Sequence, residues 1–401
     1  MTIQMDMIQS LALAVIMLLI GKQLRSKVKF FEKYCIPSPV IGGIIFSVIA
    51  LILRQSGTLM FEFDDTLQKF FMTMFFTTIG FNASLRVLKK GGPKVLLFLG
   101  VATGLAILQN VVAAGLSGVV GLEPLLALMT GSTPMTGGHG TAGAIAPTVE
   151  ELGVIGANTV GLAAATFGLV SGSMMGGPLA NRLIIKHDLI RKRDESVSEQ
   201  LDFDSSLLEE ETVTLDVGRV GMAFFQILIA MGIGTYVSVW LVDTTGLNFP
   251  GYIGAMVVAA VITNLSETGI FKTPKEEIGV VGDVALNLFL AMALMTLKLW
   301  ELTDLAGPLI ILLIGQVVLM ALYATYVTFP IMGKNYDAAV IAAGHCGFGL
   351  GATPNGIANM DSVSEKYGYS QMAFFVLPIV GALFIDFVNA LNIQLFINFF
   401  G

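Results

Sequence analysis

Two stretches of the chain carry residue types that can hold a small charged ligand. The first is Ser132-Thr133-Pro134-Met135-Thr136-Gly137-Gly138-His139-Gly140-Thr141; the second runs Gly344-His345-Cys346-Gly347-Phe348-Gly349-Leu350-Gly351-Ala352-Thr353-Pro354-Asn355. Both are too dense in Gly and Pro for a simple continuous helix, so each is expected to interrupt one. A helix that starts at such an interruption presents free N–H groups and the positive end of its dipole, a ready site for a carboxylate. The candidate substrate ligands are Thr136, Gly137, Gly138, His139, Gly140 and Thr141 in the first run, and His345, Gly347, Gly349, Gly351, Thr353 and Asn355 in the second. The competing reading is that the glycines only let helices pack closely. Two such runs in matching places favour the site.

Asp386 lies near the middle of an apolar run, Leu383-Phe384-Ile385-Asp386-Phe387-Val388-Asn389. An ionised carboxyl there costs roughly 2.5–3.5 kcal/mol on insertion scales, so it should face a cavity or a partner. Asn389 follows three residues later on the same helical face, and together they offer oxygen ligands suited to a hard cation such as Na⁺. Asp337, at the start of the second interrupted segment, is the third candidate Na⁺ ligand, whereas Asp283 is expected near a membrane interface. His139 and His345 recur at equivalent places, and a neutral histidine tying broken backbone together is preferred to a proton shuttle. The third histidine, His187, stands apart in a polar stretch, so no zinc site is expected.

Enzyme chemistry finds little support. Tyr336-Asp337 and Gly349-Leu350-Gly351 look like the paired motifs of intramembrane aspartyl proteases, but the second carboxylate is replaced by Ala352. A single carboxylate cannot form a proton-sharing dyad. There is no Gly-x-Ser-x-Gly elbow and no phosphate-binding Gly-Lys-Ser/Thr loop. The driving energy must come from an ion gradient or from the substrate's own.

The elements that must position these residues are membrane helices. The 401 residues are 55% apolar and 13% charged, against roughly 25% charged in an average soluble domain. Ten apolar runs are near the length that crosses a bilayer: Met7–Gly21, Pro39–Leu53, Phe70–Ser84, Val95–Val120, Val154–Leu179, Val220–Val242, Tyr252–Leu265, Ile278–Leu297, Pro308–Phe329 and Gln371–Ile397. A soluble enzyme, a nucleic-acid binder and a secreted disulfide scaffold are excluded. Cys35 and Cys346 suggest neither a disulfide nor a metal site. Met7–Gly21 follows Asp6 rather than a basic segment and reads as a retained first span.

Threading the ten spans with the N-terminus outside puts all 22 basic residues in inside loops except Arg54, Lys69 and Lys298. That count requires residues 124–147 and 336–358 to enter and leave on one face each. The alternatives are paired half-helices, or one ordinary span plus a short missed one. His139 and His345 are 206 positions apart, and Gln109/Gln316, Ala165/Ala373 and Pro39/Pro250 recur at offsets of 207, 208 and 211. The expected fold is thus an all-α polytopic membrane protein of two inverted repeats. These are 1–181 and 220–401, each with five spans and one re-entrant segment, joined by a cytoplasmic polar connector, 182–219, that carries Arg191-Lys192-Arg193 and Glu209-Glu210-Glu211. Inverted repeats with broken helices at matching positions point to a secondary transporter whose site lies where the breaks meet.

At these residues the chain resembles the bacterial sodium/glutamate symporter family. The resemblance rests on Thr136 through Thr141, Met332 through Val340, Ala343 through Thr353, Phe384 through Leu391, Leu288 through Met295 and Lys298 through Glu301. It covers nearly the whole chain, weakest in the first 35 residues and the connector. It implies Na⁺-coupled uptake of L-glutamate across the bacterial inner membrane. A homodimer is implied as well, in which a substrate-carrying part moves against a fixed scaffold, with Na⁺ as coupling ion and no cofactor. A carrier of another di- or tricarboxylate, or a Na⁺/H⁺ exchanger on the same architecture, is the alternative.

Overall fold

The structure, a computed structural model, describes residues 2–34, 36–190, 216–247, 249–302 and 305–401. Cys35 and most of the charged connector, including Arg191–Arg193 and Glu209–Glu211, lie outside the described residues.

The chain is a polytopic helical membrane protein. Strand β1 (Thr2–Met5) leads into α1 (Met7–Lys27), which Asp6 caps by accepting from the amides of Ile8 and Gln9 at 2.9 and 2.8 Å. A short α2 (Lys29–Lys33) precedes α3 (Ser38–Gln55); strand β2 (Met60–Phe63) and α4 (Thr66–Asn82) follow. Then come α5 (Leu85–Lys90) and the long α6 (Gly92–Val120), stopped by Gly121 in the left-handed region. Three short pieces, α7 (Pro124–Leu128), α8 (Ser132–Met135) and α9 (Gly138–Glu151), lead to α10 (Ala157–His187). The second half holds α11 (Val217–Thr245), α12 (Gly251–Ser266), α13 (Lys275–Met295) and α14 (Ala306–Tyr323). A π-helical turn, Ala324–Thr328, joins α14 to α15 (Phe329–Ile331), and α16 (Tyr336–Gly349), α17 (Thr353–Tyr367), α18 (Gln371–Leu383) and α19 (Ile385–Phe400) complete the chain.

Every expected span has a helix. Seven are long and apolar enough to cross a membrane, and α18 with α19 makes an eighth if the bent pair counts as one. The other two, α4 and α12, have 17 and 16 residues, fewer than the ~20 that a bilayer needs. They pack on one another: Thr263 Oγ1 donates to the Phe81 carbonyl at 2.8 Å, and Asn264 Nδ2 to that of Ala83. Two features depart from the reading of the sequence. A small parallel pair, β1 with β2, sits on an otherwise helical frame. The last run is not one helix: it bends by 48° at Phe384, whose φ of −125° leaves the helical region. Asp386 therefore lies in the first turn of α19, not mid-helix.

The helices sort into two packed groups. The first three long helices of each half (α1, α3, α4; α11, α12, α13) pack together, and the remainder (α6–α10; α14–α19) pack around the interrupted segments. In that second group residues 124–151 and 336–367 are hairpins of short helices. Leu125 and Leu152 both lie against Gly401, at the base of the first. The Tyr336 hydroxyl donates to the Gly368 carbonyl, and Ser370 Oγ donates to Asp337 at 2.6 Å, closing the base of the second. Helix α6 runs between these bases, from Lys94, which donates to the Met332 carbonyl, to Gly121 just before the first hairpin. The hairpins thus enter from opposite ends of α6.

Candidate functional site

The hairpin tips meet. A Cβ added to Gly138, which has φ +63°, would lie 3.1 Å from the Gly351 carbonyl. Gln109 of α6 fastens both tips: its Nε2 donates to the Gly349 carbonyl at 2.6 Å and its Oε1 accepts from Thr136 Oγ1 at 2.7 Å. Gln316 of α14 in turn donates to the Gln109 carbonyl at 2.8 Å. The two glutamines expected to be repeat counterparts therefore touch. All of these groups are buried. Replacing Gln109 with Leu strands the Gly349 carbonyl without a donor and should cost about 1–3 kcal/mol. The expected outcome is a lower melting temperature of the detergent-solubilised protein, together with weaker transport. An unchanged melting curve would show that the bridge holds nothing.

A cavity of about 520 Å³ opens at the tips, between the two helix groups. The hairpin side contributes Thr136 through Gly140 and Gly351 through Asn355; α1, α4 and α13 supply Arg25, Phe75, Asp283, Leu286 and Leu290. Asp386 reaches it from the bend of the last helix pair. Helix α9 starts at Gly138 and α17 at Thr353, neither with a side-chain cap. Among the described residues nothing accepts from the amides of Gly138, His139, Gly140 or Thr353. Two positive helix ends therefore look into one cavity, an arrangement that stabilises an anion. Asp386 also sits at a helix start, and no described residue hydrogen-bonds its carboxylate.

His139 lines the cavity, with Nε2 2.9 Å from Thr166 Oγ1 on α10. That hydroxyl gives its own proton to the Leu162 carbonyl at 3.0 Å. The imidazole must then donate through Nε2, which leaves Nδ1 as an acceptor. The histidine is tied to a neighbouring helix rather than to the broken backbone. Asn355 uses Nδ2 on the Leu169 carbonyl and Ser173 Oγ, at 3.0 and 2.7 Å, while its Oδ1 has no described partner.

The other residues expected at a site stand elsewhere. His345 is fully buried, 2.9 Å from Thr328 in the π-helical turn, and its ring stacks behind Phe348, which does line the cavity. Gly347 packs on the Asn355 carbonyl and Gly349 on Leu105. Thr141 lies one turn into α9, buried beside Gly137. Asn389 donates to the Ser132 carbonyl at 3.0 Å and so holds the first hairpin, away from the cavity lining; Asp337 accepts from Ser370 at the second hairpin's base. Reading the sequence missed Arg25, Phe75, Phe348, Leu286 and Leu290. In the sequence Arg25 stands out only as one of the basic residues assigned to inside loops.

A family model described as "Sodium/glutamate symporter" matches residues 3–369. A sodium/glutamate symporter of Escherichia coli is 42% identical, with 98% of each chain covered, and one of Shigella flexneri matches equally. That of Haemophilus influenzae is 38% identical over 95% of each chain. With helix-end amides and a free carboxylate in one membrane cavity, and identity of this order along nearly the whole length, the chain belongs to the sodium/glutamate symporter family.

Proposed function

We propose that the protein carries L-glutamate into a bacterial cell together with Na⁺, by alternating access across the inner membrane. The observation that carries this reading is the single cavity in which two uncapped helix starts face the unpaired Asp386. The amides at Gly138–Gly140 and Thr353 receive a substrate carboxylate, Thr136 and Thr353 offer hydroxyls, and Asn355 Oδ1 and His139 Nδ1 are acceptors for its ammonium group. Na⁺ binds at Asp386 and neutralises a charge that would otherwise repel an acidic amino acid. His345, Gly347, Gly349, Thr141, Asn389 and Asp337 hold the hairpins in place.

The two helix groups give the movement its parts. The group bearing the hairpins is the carrier, and α1, α3, α4, α11, α12 and α13 form the scaffold, so the cavity lies on the sliding boundary. Each half has the same order of elements: three helices, a long helix, a broken hairpin and a last helix. That order supports inverted repeats over 1–181 and 220–401, joined by 182–219. The breaks suggest a different register from the histidines: the helices that follow them start at Gly138 and Thr353, an offset of 215. Basic residues gather at the end that holds Lys22–Lys33, Arg86–Lys94 and Lys334, which we assign to the cytoplasm, leaving both termini outside. The family resemblance supports a homodimer, which light scattering of the detergent-solubilised protein measures directly.

The test is uptake of radiolabelled L-glutamate into proteoliposomes under an inward Na⁺ gradient, with K⁺ or choline as control. Uptake that needs Na⁺ and is competed by unlabelled glutamate is the expected result. Folded protein that takes up glutamate equally well without Na⁺, or takes up none, overturns the assignment.

A further inference from the structure

A second cavity, of about 540 Å³, lies outside the transport site, between α10 and the α14–α15 segment. Its walls are apolar: Leu179 and Leu183 on one side, Leu322 and Phe329 on the other. Its rim carries Arg182, Lys186 and Lys334. Among the described residues none of these three side chains has an ion-pair partner or a hydrogen bond, and no carboxylate lines the cavity. The rim is built rather than incidental. Lys334 is held at φ +54° directly after Gly333, and the π-helical turn carries Tyr326 outward, where it is 69% exposed beside the 53% exposed Leu322. Large apolar side chains left open beside a cluster of unpaired cations mark the level where a membrane helix leaves the hydrocarbon. Basic pockets between helices at that level suit anionic lipid headgroups. A soluble anion would have use for the cations but not for the walls.

We propose that this cavity binds an anionic phospholipid, with its phosphodiester among Arg182, Lys186 and Lys334 and its acyl chains along Leu179, Leu322 and Tyr326. Among the described residues the three cations stand at a pocket that no carboxylate lines, and the lipid supplies the counter-charge. The site shares no lining residue with the transport cavity.

Native mass spectrometry of the purified full-length protein tests this, with added phosphatidylglycerol, phosphatidylcholine or inorganic phosphate. The wild type should retain phosphatidylglycerol at least about fivefold more than phosphatidylcholine. The triple variant Arg182→Gln, Lys186→Gln, Lys334→Gln should lose that preference. Leu179→Trp, which fills the cavity and leaves the charges, should lose it too; circular dichroism confirms that each variant is folded. Equal retention of the two lipids, or an unchanged preference in both folded variants, overturns the proposal. Displacement of phosphatidylglycerol by equimolar inorganic phosphate would make this a site for a free anion, and would also overturn it.

Discussion

Asp386→Asn is expected to uncouple transport from Na⁺ while leaving the protein folded. The change is nearly isosteric, and the carboxylate it removes has no hydrogen-bond partner among the described residues, so the packing around α19 loses nothing. The substitution does remove an ionisable carboxyl from the cavity wall. Two unit charges about 4 Å apart interact by roughly 4 kcal/mol at an effective dielectric constant near 20. Even after much of that is offset by desolvation, each ~1.4 kcal/mol that remains is a tenfold change in affinity. The Na⁺ concentration for half-maximal uptake should therefore rise by about tenfold or more, and accumulation against a glutamate gradient should fail. The sign for the substrate is opposite. With that carboxylate gone, an acidic amino acid entering the ion-free cavity meets one like charge fewer, so Na⁺-free glutamate binding should strengthen. Calorimetric titration of glutamate with and without Na⁺ measures both effects on one sample. A folded variant that keeps the wild-type Na⁺ activation curve would take Na⁺ coordination away from Asp386.

How far the sequence exposes this site depends on whether a feature is local. The apolar runs are visible because a membrane helix needs about 20 apolar residues in succession, and each has its helix in the structure. The two hairpins are visible because Gly, Pro and hydroxyl residues inside such runs are exceptional, and Asp386 because a carboxylate there is costly. The bend at Phe384 is not visible: hydropathy records no backbone dihedral, and Leu383-Phe384-Ile385 is as apolar as its neighbours. His139 stands at its hairpin's tip, but His345 falls several residues short of the corresponding break, packed between Phe98 and Phe348. The helices that follow the two breaks start at Gly138 and at Thr353. Arg25, Phe75 and Leu286 come to the cavity from the other helix group. Contacts between helices hundreds of residues apart leave no mark in a single sequence, whereas Gln109 could be singled out because it is polar within a long apolar span.

A single added carbon should show how tightly α10 holds the second hairpin. Gly168, Gly172 and Gly176 form a stripe on α10, one residue per turn, against α16 and α17, the small-residue contact typical of helices that approach closely in membranes. A Cβ on Gly168 would stand 2.1 Å from the Leu350 carbonyl oxygen, at the break itself. That atom is backbone, so no rotamer relieves the clash. In Gly168→Ala either α10 or the hairpin tip must move. Overpacking of this kind costs typically about 1–3 kcal/mol, and the displacement falls on Gly351–Thr353, whose groups line the cavity. A misplacement near 1 Å costs on the order of a hundredfold in enzymes that position a substrate, so glutamate uptake should fall by at least about tenfold. Gly177 on the same helix is the control: a Cβ there would meet nothing closer than Ser362 Oγ at 3.9 Å. Gly177→Ala should transport normally and melt at the same temperature or slightly higher, since Ala favours helix over Gly by up to about 1 kcal/mol. If the two variants behave alike, α10 does not set the position of the second hairpin, and the tip must be held by Gln109 and Asn355 instead.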